Sequence, residues 1–129
     1  MIKKVTPVLI VDRIEPLLHL WDALGFSRAA EVPHGDGLGF VILARDGVEV
    51  MYQTFDSVRG DEAKVLEGSR AMGASAVFIE VDDIEALAAL IPSGTDVIVA
   101  RRQTFYGSTE TVIRDGAGNV ITFAQFAPV

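Results

Sequence analysis

The sequence predicts an α+β fold made of two tandem βαβββ modules, and three observations carry that reading. Signals for strand, helix and three further strands recur in the same order in each half of the 129-residue chain. At an offset of 70, VDRIEPLLHL (11–20) lies on VDDIEALAAL (81–90) with six identities in ten, where composition alone gives about one. At an offset of 71, DGVEVMYQTF (46–55) lies on AGNVITFAQF (117–126), matched in residue type more than in identity. Agreement of letters, order and spacing is the signature of an internal duplication.

In the first half, KVTPVLIV (4–11) is short, apolar and β-branched, as a buried strand should be. Asp12 stands where it can cap a helix. Ile14, Leu17, Leu18, Trp21 and Leu24 then follow at helical spacing, and Gly25 ends the run. His34-Gly35-Asp36-Gly37 and Arg45-Asp46-Gly47 are turn signals. They divide the next stretch into strands near 26–33, 38–45 and 47–54.

Residues 56–74 are polar with glycine breaks and read as a connector holding one short helix near 61–69. The second half repeats the pattern: strand 75–81, helix 82–91, a Pro92-Ser93-Gly94 turn, and strands near 95–101, 108–114 and 118–126. Asp115-Gly116-Ala117-Gly118 supplies the last hairpin turn. The expected organisation is a first module at 1–55, the connector at 56–74 and a second module at 75–129, together one compact domain.

Composition narrows the function. The chain has 11 Lys and Arg against 18 Asp and Glu, a formal charge of −7, which disfavours binding to a phosphate backbone, so no nucleic-acid partner is expected. Cysteine is absent, which removes disulfides, thiolate metal sites and a thiol nucleophile. No apolar run reaches the roughly 18 residues of a membrane helix, and MIKKVTPVLIVDR reads as a strand and not a leader. A cytoplasmic protein without a membrane partner is expected. The glycine-rich 115–118 segment joins two strands and opens no helix, so it does not suit a nucleotide phosphate. No Gly-x-Ser-x-Gly elbow is present.

Three segments together resemble the vicinal oxygen chelate superfamily of glyoxalases, bleomycin-resistance proteins and extradiol dioxygenases. They are TPVLIVDRIEPLLHLWDALGF (6–26), DGVEVMYQTF (46–55), and SAVFIEVDDIEAL (75–87) with FYGSTETVIRDGAGNVITFAQF (105–126). The resemblance implies a curved mixed sheet from each half around a cleft, and a homodimer. In metal-dependent members it implies His or Gln on each first strand and Glu on each last strand. The corresponding residues here are Thr6, Ala76, Met51 and Thr122. Alanine and methionine do not serve a hard divalent ion, and a threonine hydroxyl serves it weakly. The two histidines fall elsewhere, His19 on the first helix and His34 in a turn. The sequence therefore resembles the metal-free bleomycin-resistance-type members most, with no metal and no other cofactor expected.

Period-two alternation assigns strand faces. Val48, Val50 and Tyr52 should pack on the helix, leaving Glu49, Met51 and Gln53 to the cleft. In the second half Ala76, Phe78 and Glu80, with Val120, Thr122 and Ala124, should face the cleft. The candidate ligand-binding residues are Thr6, Val8, Met51, Gln53, Ala76, Phe78, Phe105, Tyr106, Glu110 and Thr122. Such a cleft, apolar with a few orienting polar groups, suits a small molecule. Glu110 and Glu49 are the candidate acids or bases; the alternative for Glu49 is a cross-strand pair with an arginine.

The favoured function is binding of a small, partly aromatic molecule, aromatic or cationic in character, without a metal. One alternative is a metal-dependent lyase, isomerase or dioxygenase of the same superfamily. A second is a dimeric interaction module with no small ligand.

Overall fold

The computed structural model describes residues 1, 3–67 and 75–128. The chain divides into two compact units, Met1–Gly73 and Ala74–Val129. Each holds one four-stranded mixed sheet of the same topology, so the predicted α+β class and both sets of four strands are present.

In the first unit β1 (Val8–Val11) pairs in parallel with β4 (Val48–Thr54). The antiparallel strands β3 (Gly37–Arg45) and β2 (Ser27–His34) complete the order β1-β4-β3-β2. Strand β1 is shorter than the expected 4–11. Pro7 has no N–H to give a ladder; only its carbonyl joins, accepting from Met51 N at 3.0 Å.

Asp12 does not cap the following helix, contrary to expectation. Helical structure opens as a 3-10 turn, Glu15–Leu17, with Ile14 in the cap position, no side-chain cap bond, and proline at its start. The rigid φ of Pro16 suits a helix start, where its missing N–H costs nothing. Helix α1 (Leu18–Ala23) continues from there, and Gly25 leaves it at φ +84°, a left-handed turn that favours glycine. Ile14, Leu17, Leu20, Trp21 and Leu24 are buried, as are Leu9, Val11, Val41, Leu43, Val50 and Tyr52 on the sheet. Trp21 meets Tyr52 edge-on and donates its indole N–H to the phenol oxygen at 3.0 Å. Val48 departs from the expected inward set, being exposed at the strand end.

The connector helix begins earlier than the predicted 61–69. Helix α2 (Phe55–Glu62) starts directly at the end of β4, because Thr54 Oγ1 accepts from Ser57 N at 3.1 Å and caps it. A 3-10 turn, Ala63–Leu66, follows; the end of the expected helix and of the connector lies outside the described residues.

The second unit has the order β5-β8-β7-β6, from β5 (Ala76–Glu80), β6 (Asp96–Gln103), β7 (Ser108–Arg114) and β8 (Val120–Phe126). Its register reproduces the duplication. Val8 pairs with Met51 in the first sheet, and Phe78 pairs with Thr122 in the second, at the sequence offsets of 70 and 71. Helix α3 (Ile84–Leu90) is capped by Asp83, whose Oδ1 accepts from Ala86 N at 3.0 Å, so it starts after the expected 82. Gln125 Oε1 takes the Ile84 N–H at 2.8 Å and ties the helix to β8. The helix packs on β7 and β8, where Ile113, Ile121 and Phe123 are buried. Strand β8 begins at Val120 and not at 118, since Asp115 Oδ1 holds the N–H groups of Ala117 and Asn119 in the turn. Among the described residues no helix is long and apolar enough to cross a membrane.

Candidate functional site

Cross-strand partners share a sheet face. In the second unit, register therefore puts Phe78 beside Thr122 and Val112, and Glu80 beside Ala124 and Glu110. Arg102 pairs with Glu110 across β6 and β7, and Ser108 with Phe126 across β7 and β8. All of these lie on the face opposite α3.

Phe105 and Tyr106 occupy the tip of the β6–β7 hairpin. Thr104 and Ser108 close it, with Gly107 N bonded to Thr104 O at 3.2 Å and Thr104 N to Ser108 O at 2.9 Å. Gly107 has φ +90°, so this short loop needs a residue that tolerates the left-handed region. The tip directs Tyr106 back toward the sheet. Its ring centroid lies 6.3 Å from that of Phe126, and Phe126 lies 6.2 Å from Phe78. Phe105 meets Tyr106 edge-on at 5.1 Å. These four rings form a continuous exposed series: Phe78 is 53% exposed, Phe126 38%, Tyr106 44% and Phe105 100%.

Glu110 sits beneath this series and is wholly buried. Its Oε1 accepts from Arg102 Nε at 3.1 Å and Nη2 at 2.8 Å. Its Oε2 accepts from Tyr106 Oη at 2.5 Å and Ser108 Oγ at 2.8 Å. Ser108 has one hydroxyl proton, committed to Glu110, so in the 2.7 Å contact between Thr104 Oγ1 and Ser108 Oγ the threonine donates. Burial pushes the Glu110 carboxyl up. The donors from Tyr106, Arg102 and Ser108 outweigh burial and hold it below the usual carboxylate range.

In the first unit, Val8, Ile10, Met51 and Gln53 share the face turned away from the Trp21–Tyr52 core. Gln53 donates through Nε2 to Ser57 Oγ at 3.2 Å. Glu49 is paired with Lys4 at 2.7 Å, not with an arginine as its alternative reading had it. Thr6 precedes β1, and Val8 is the residue beside Met51; in the second sheet Ala76 pairs with Val120, and Phe78 is the residue beside Thr122.

Phe78, Phe105, Tyr106, Glu110 and Thr122 thus fall together on one unit, with Ala76 further along the same face. Thr6, Val8, Met51, Gln53 and Glu49 belong to the other unit. Sequence reasoning missed Arg102, Ser108, Thr104 and Phe126. Phe126 has the same parity as Thr122 and Ala124, so alternation could have found it. Arg102 could have been found by counting outward from the hairpin tip to Glu110.

The residues at the positions where the resemblance implies metal ligands do not fit a divalent ion. Val8, Met51 and Phe78 offer no oxygen or nitrogen ligand, and Thr6 and Thr122 only weak hydroxyls. Among the described residues no group of three His, Asp or Glu side chains could hold a metal ion.

Two four-stranded mixed sheets of one repeated topology, each with its helix, make a fold shared with solved structures described as glyoxalase/bleomycin resistance protein/dioxygenase proteins. No family model matches the chain, and no curated protein matches it in sequence. Among solved structures, TioX from Micromonospora sp. ML1 is similar with a TM-score of 0.76 at 15% identity, over 97% of this chain and 99% of that one. Lactoylglutathione lyase from Agrobacterium tumefaciens gives 0.74 at 16% identity, over 97% of this chain and 95% of that one. A glyoxalase/bleomycin resistance protein/dioxygenase family enzyme from Burkholderia phytofirmans PsJN gives 0.72 at 16%, over 95% and 97%. At these identities the likeness is one of fold, and fold alone does not assign chemistry.

Proposed function

We propose that this protein binds a small, partly aromatic molecule, without a metal, on the face of the second sheet opposite α3. The observation that carries the reading is the exposed series Phe78, Phe126, Tyr106 and Phe105 beside the Arg102–Glu110 network. Contiguous exposed aromatic surface marks an interaction site. Tilted rings offer stacking and edge contacts to a planar guest. The buried Glu110 anchors the polar groups at the margin, as a pocket of few, fixed polar contacts requires.

Glu110 is a positioning residue in this reading and not a base. Its four accepted bonds occupy the lone-pair sites of both oxygens, and its proton affinity is low. The function is accordingly binding rather than proton transfer.

Thermal unfolding of chelator-treated protein against a panel of planar aromatic compounds tests the proposal. A ligand that binds only the folded chain raises Tm by mass action. The expected result is a rise with at least one planar compound, lost in Phe78→Ala and Phe126→Ala and kept in Val48→Ala. Shifts with divalent ions alone, or no shift across the panel, would overturn it.

A further inference from the structure

We infer that Thr104 and Ser108 are positioning residues for the aromatic face. Their hydroxyls hold the β6–β7 hairpin tip as a fixed wall, so that Tyr106 stands against Phe126 before a ligand arrives. The inference rests on the reading of this face as a ligand site.

Loops are ordinarily more mobile than the strands they join. At this tip the backbone supplies two closing bonds, Thr104 N to Ser108 O at 2.9 Å and Gly107 N to Thr104 O at 3.2 Å. The Ser108 N–H goes to a side chain instead, donating to Thr104 Oγ1 at 3.1 Å. A hydroxyl on Cβ reaches this local donor, which makes the closure specific to residue 104.

The bonds continue from there into the sheet. Thr104 Oγ1 donates to Ser108 Oγ at 2.7 Å, and Ser108 Oγ to Glu110 Oε2 at 2.8 Å. Tyr106 Oη donates to the same carboxylate oxygen at 2.5 Å. The series leaves the loop at Thr104 and returns to it at Tyr106, a ring of bonds across the hairpin. Arg102 enters from β6 and bonds both Glu110 and the Tyr106 phenol. On the other strand Ala127 N, next to Phe126, donates to Gly107 O at 3.0 Å and fastens the tip to the end of β8.

Ser108 and Glu110 are buried, whereas the rings of Phe105 and Tyr106 are exposed. Bonds to a buried carboxylate are strong ones. Tied beneath and open above, Tyr106 has its ordering cost met on folding and not on binding. A lid would show the opposite pattern, with few bonds to the sheet and a hinge at each end.

Stopped-flow mixing of chelator-treated protein with acridine, in mildly alkaline buffer where the probe is uncharged, tests the inference. A fixed wall binds in one step, so the observed rate should rise linearly with acridine concentration; a rate that levels off, the mark of a conformational step, overturns it. Thr104→Val keeps the shape and loses the hydroxyl. It should weaken acridine about tenfold, while Thr104→Ser stays within about twofold of wild type. Ser108→Ala breaks the same ring one bond further on and should give the same loss, which covers a Thr104→Val protein that does not fold. Thr54→Ala, which removes the α2 cap in the first unit, is the control for stability. If it weakens acridine as much as Thr104→Val does, or if Thr104→Val binds as tightly as wild type, the inference falls and the aromatic-ligand proposal stands. Without any ligand, the Ser108 amide should exchange slowly with solvent; exchange at the rate of an open loop also sinks the inference alone. If acridine does not bind, a panel compound that does takes its place in the same measurements. With no binder at all, both fall.

Discussion

Trp21 donates its indole N–H to the Tyr52 hydroxyl at 3.0 Å, and both side chains are fully buried. At the repeat offsets the second module has Ile91 and Phe123 in these places, so donor and acceptor are both missing there. The two halves solve the same packing problem in different ways: one keeps a satisfied polar pair, the other an apolar one. Removing one member of a buried pair costs more than replacing both.

Tyr52→Phe should therefore destabilise by about 1–3 kcal/mol, because the indole N–H loses its partner. Trp21→Phe should cost more, since a large ring is lost from the core. The double variant should cost less than the sum of the two. Urea unfolding of all four proteins measures the coupling; strict additivity would show the bond contributes nothing.

Stability should fall in acid with a contribution from Glu110. Its folded-state carboxyl titrates below the usual range, so its stabilising effect is complete above the unfolded-state value. The effect is lost as pH drops through the lower folded-state value. Glu15 adds a contribution of the same sign, chiefly through the bond it accepts from Leu38 N at 2.6 Å. In Glu110→Gln the acid slope of unfolding free energy against pH should be shallower than in wild type. An unchanged slope would show that the network gives Glu110 no preference for its charged form.

The helix starts give a pair of contrasting substitutions. Thr54→Ala removes the cap of α2 and should cost about 1 kcal/mol. Asp12→Ala should change stability by less than about 0.5 kcal/mol, as surface changes generally do. Chemical denaturation of both variants suffices, and a larger loss at Asp12 would reverse the assignment.

Gly39 marks a close approach. A Cβ there would lie 2.5 Å from His34 Cβ and 3.1 Å from Ser57 Cβ, so Gly39→Ala forces β2 and α2 away from β3. A loss of about 1–3 kcal/mol is expected, the usual cost of overpacking. Gly60→Ala, 3.2 Å from the movable His34 ring, should cost less. Melting curves that rank them the other way would contradict this contact.

Much of the fold is legible in the sequence because it rests on local signals. Alternation through Val50 and Tyr52, and glycines at tight turns such as Gly47 at φ +79° and Gly107 at φ +90°, need no tertiary knowledge. Helix starts were less legible. Asp12, Thr54, Asp82 and Asp83 all have cap chemistry, and only backbone geometry decides which is used. Glu110, Tyr106 and Phe78 were readable as candidates from alternation and neighbouring aromatics. Their juxtaposition was not, because it depends on the register of β5 against β8 and on the hairpin tip turning Tyr106 back onto Phe126. Further along β6 the register against β7 shifts between Val97 and Val99 and again between Val99 and Arg102. Counting from sequence alone does not place such irregularities.

The adjacent residues Arg101 and Arg102 divide their work between the two sides of β6. Arg101 reaches Glu85 at the start of α3, at 2.9 Å, and also bonds Thr111. Arg102 holds Glu110 on the opposite side. A single-residue insertion or deletion between this dipeptide and the β6–β7 tip would shift its register against β7 and exchange the sides that the two guanidinium groups face. It would strip the helix of its clamp and the carboxylate of its counter-charge in one event. Point substitutions can thus alter the aromatic face alone, whereas length changes in β6 are expected to alter the Glu110 network and helix attachment together.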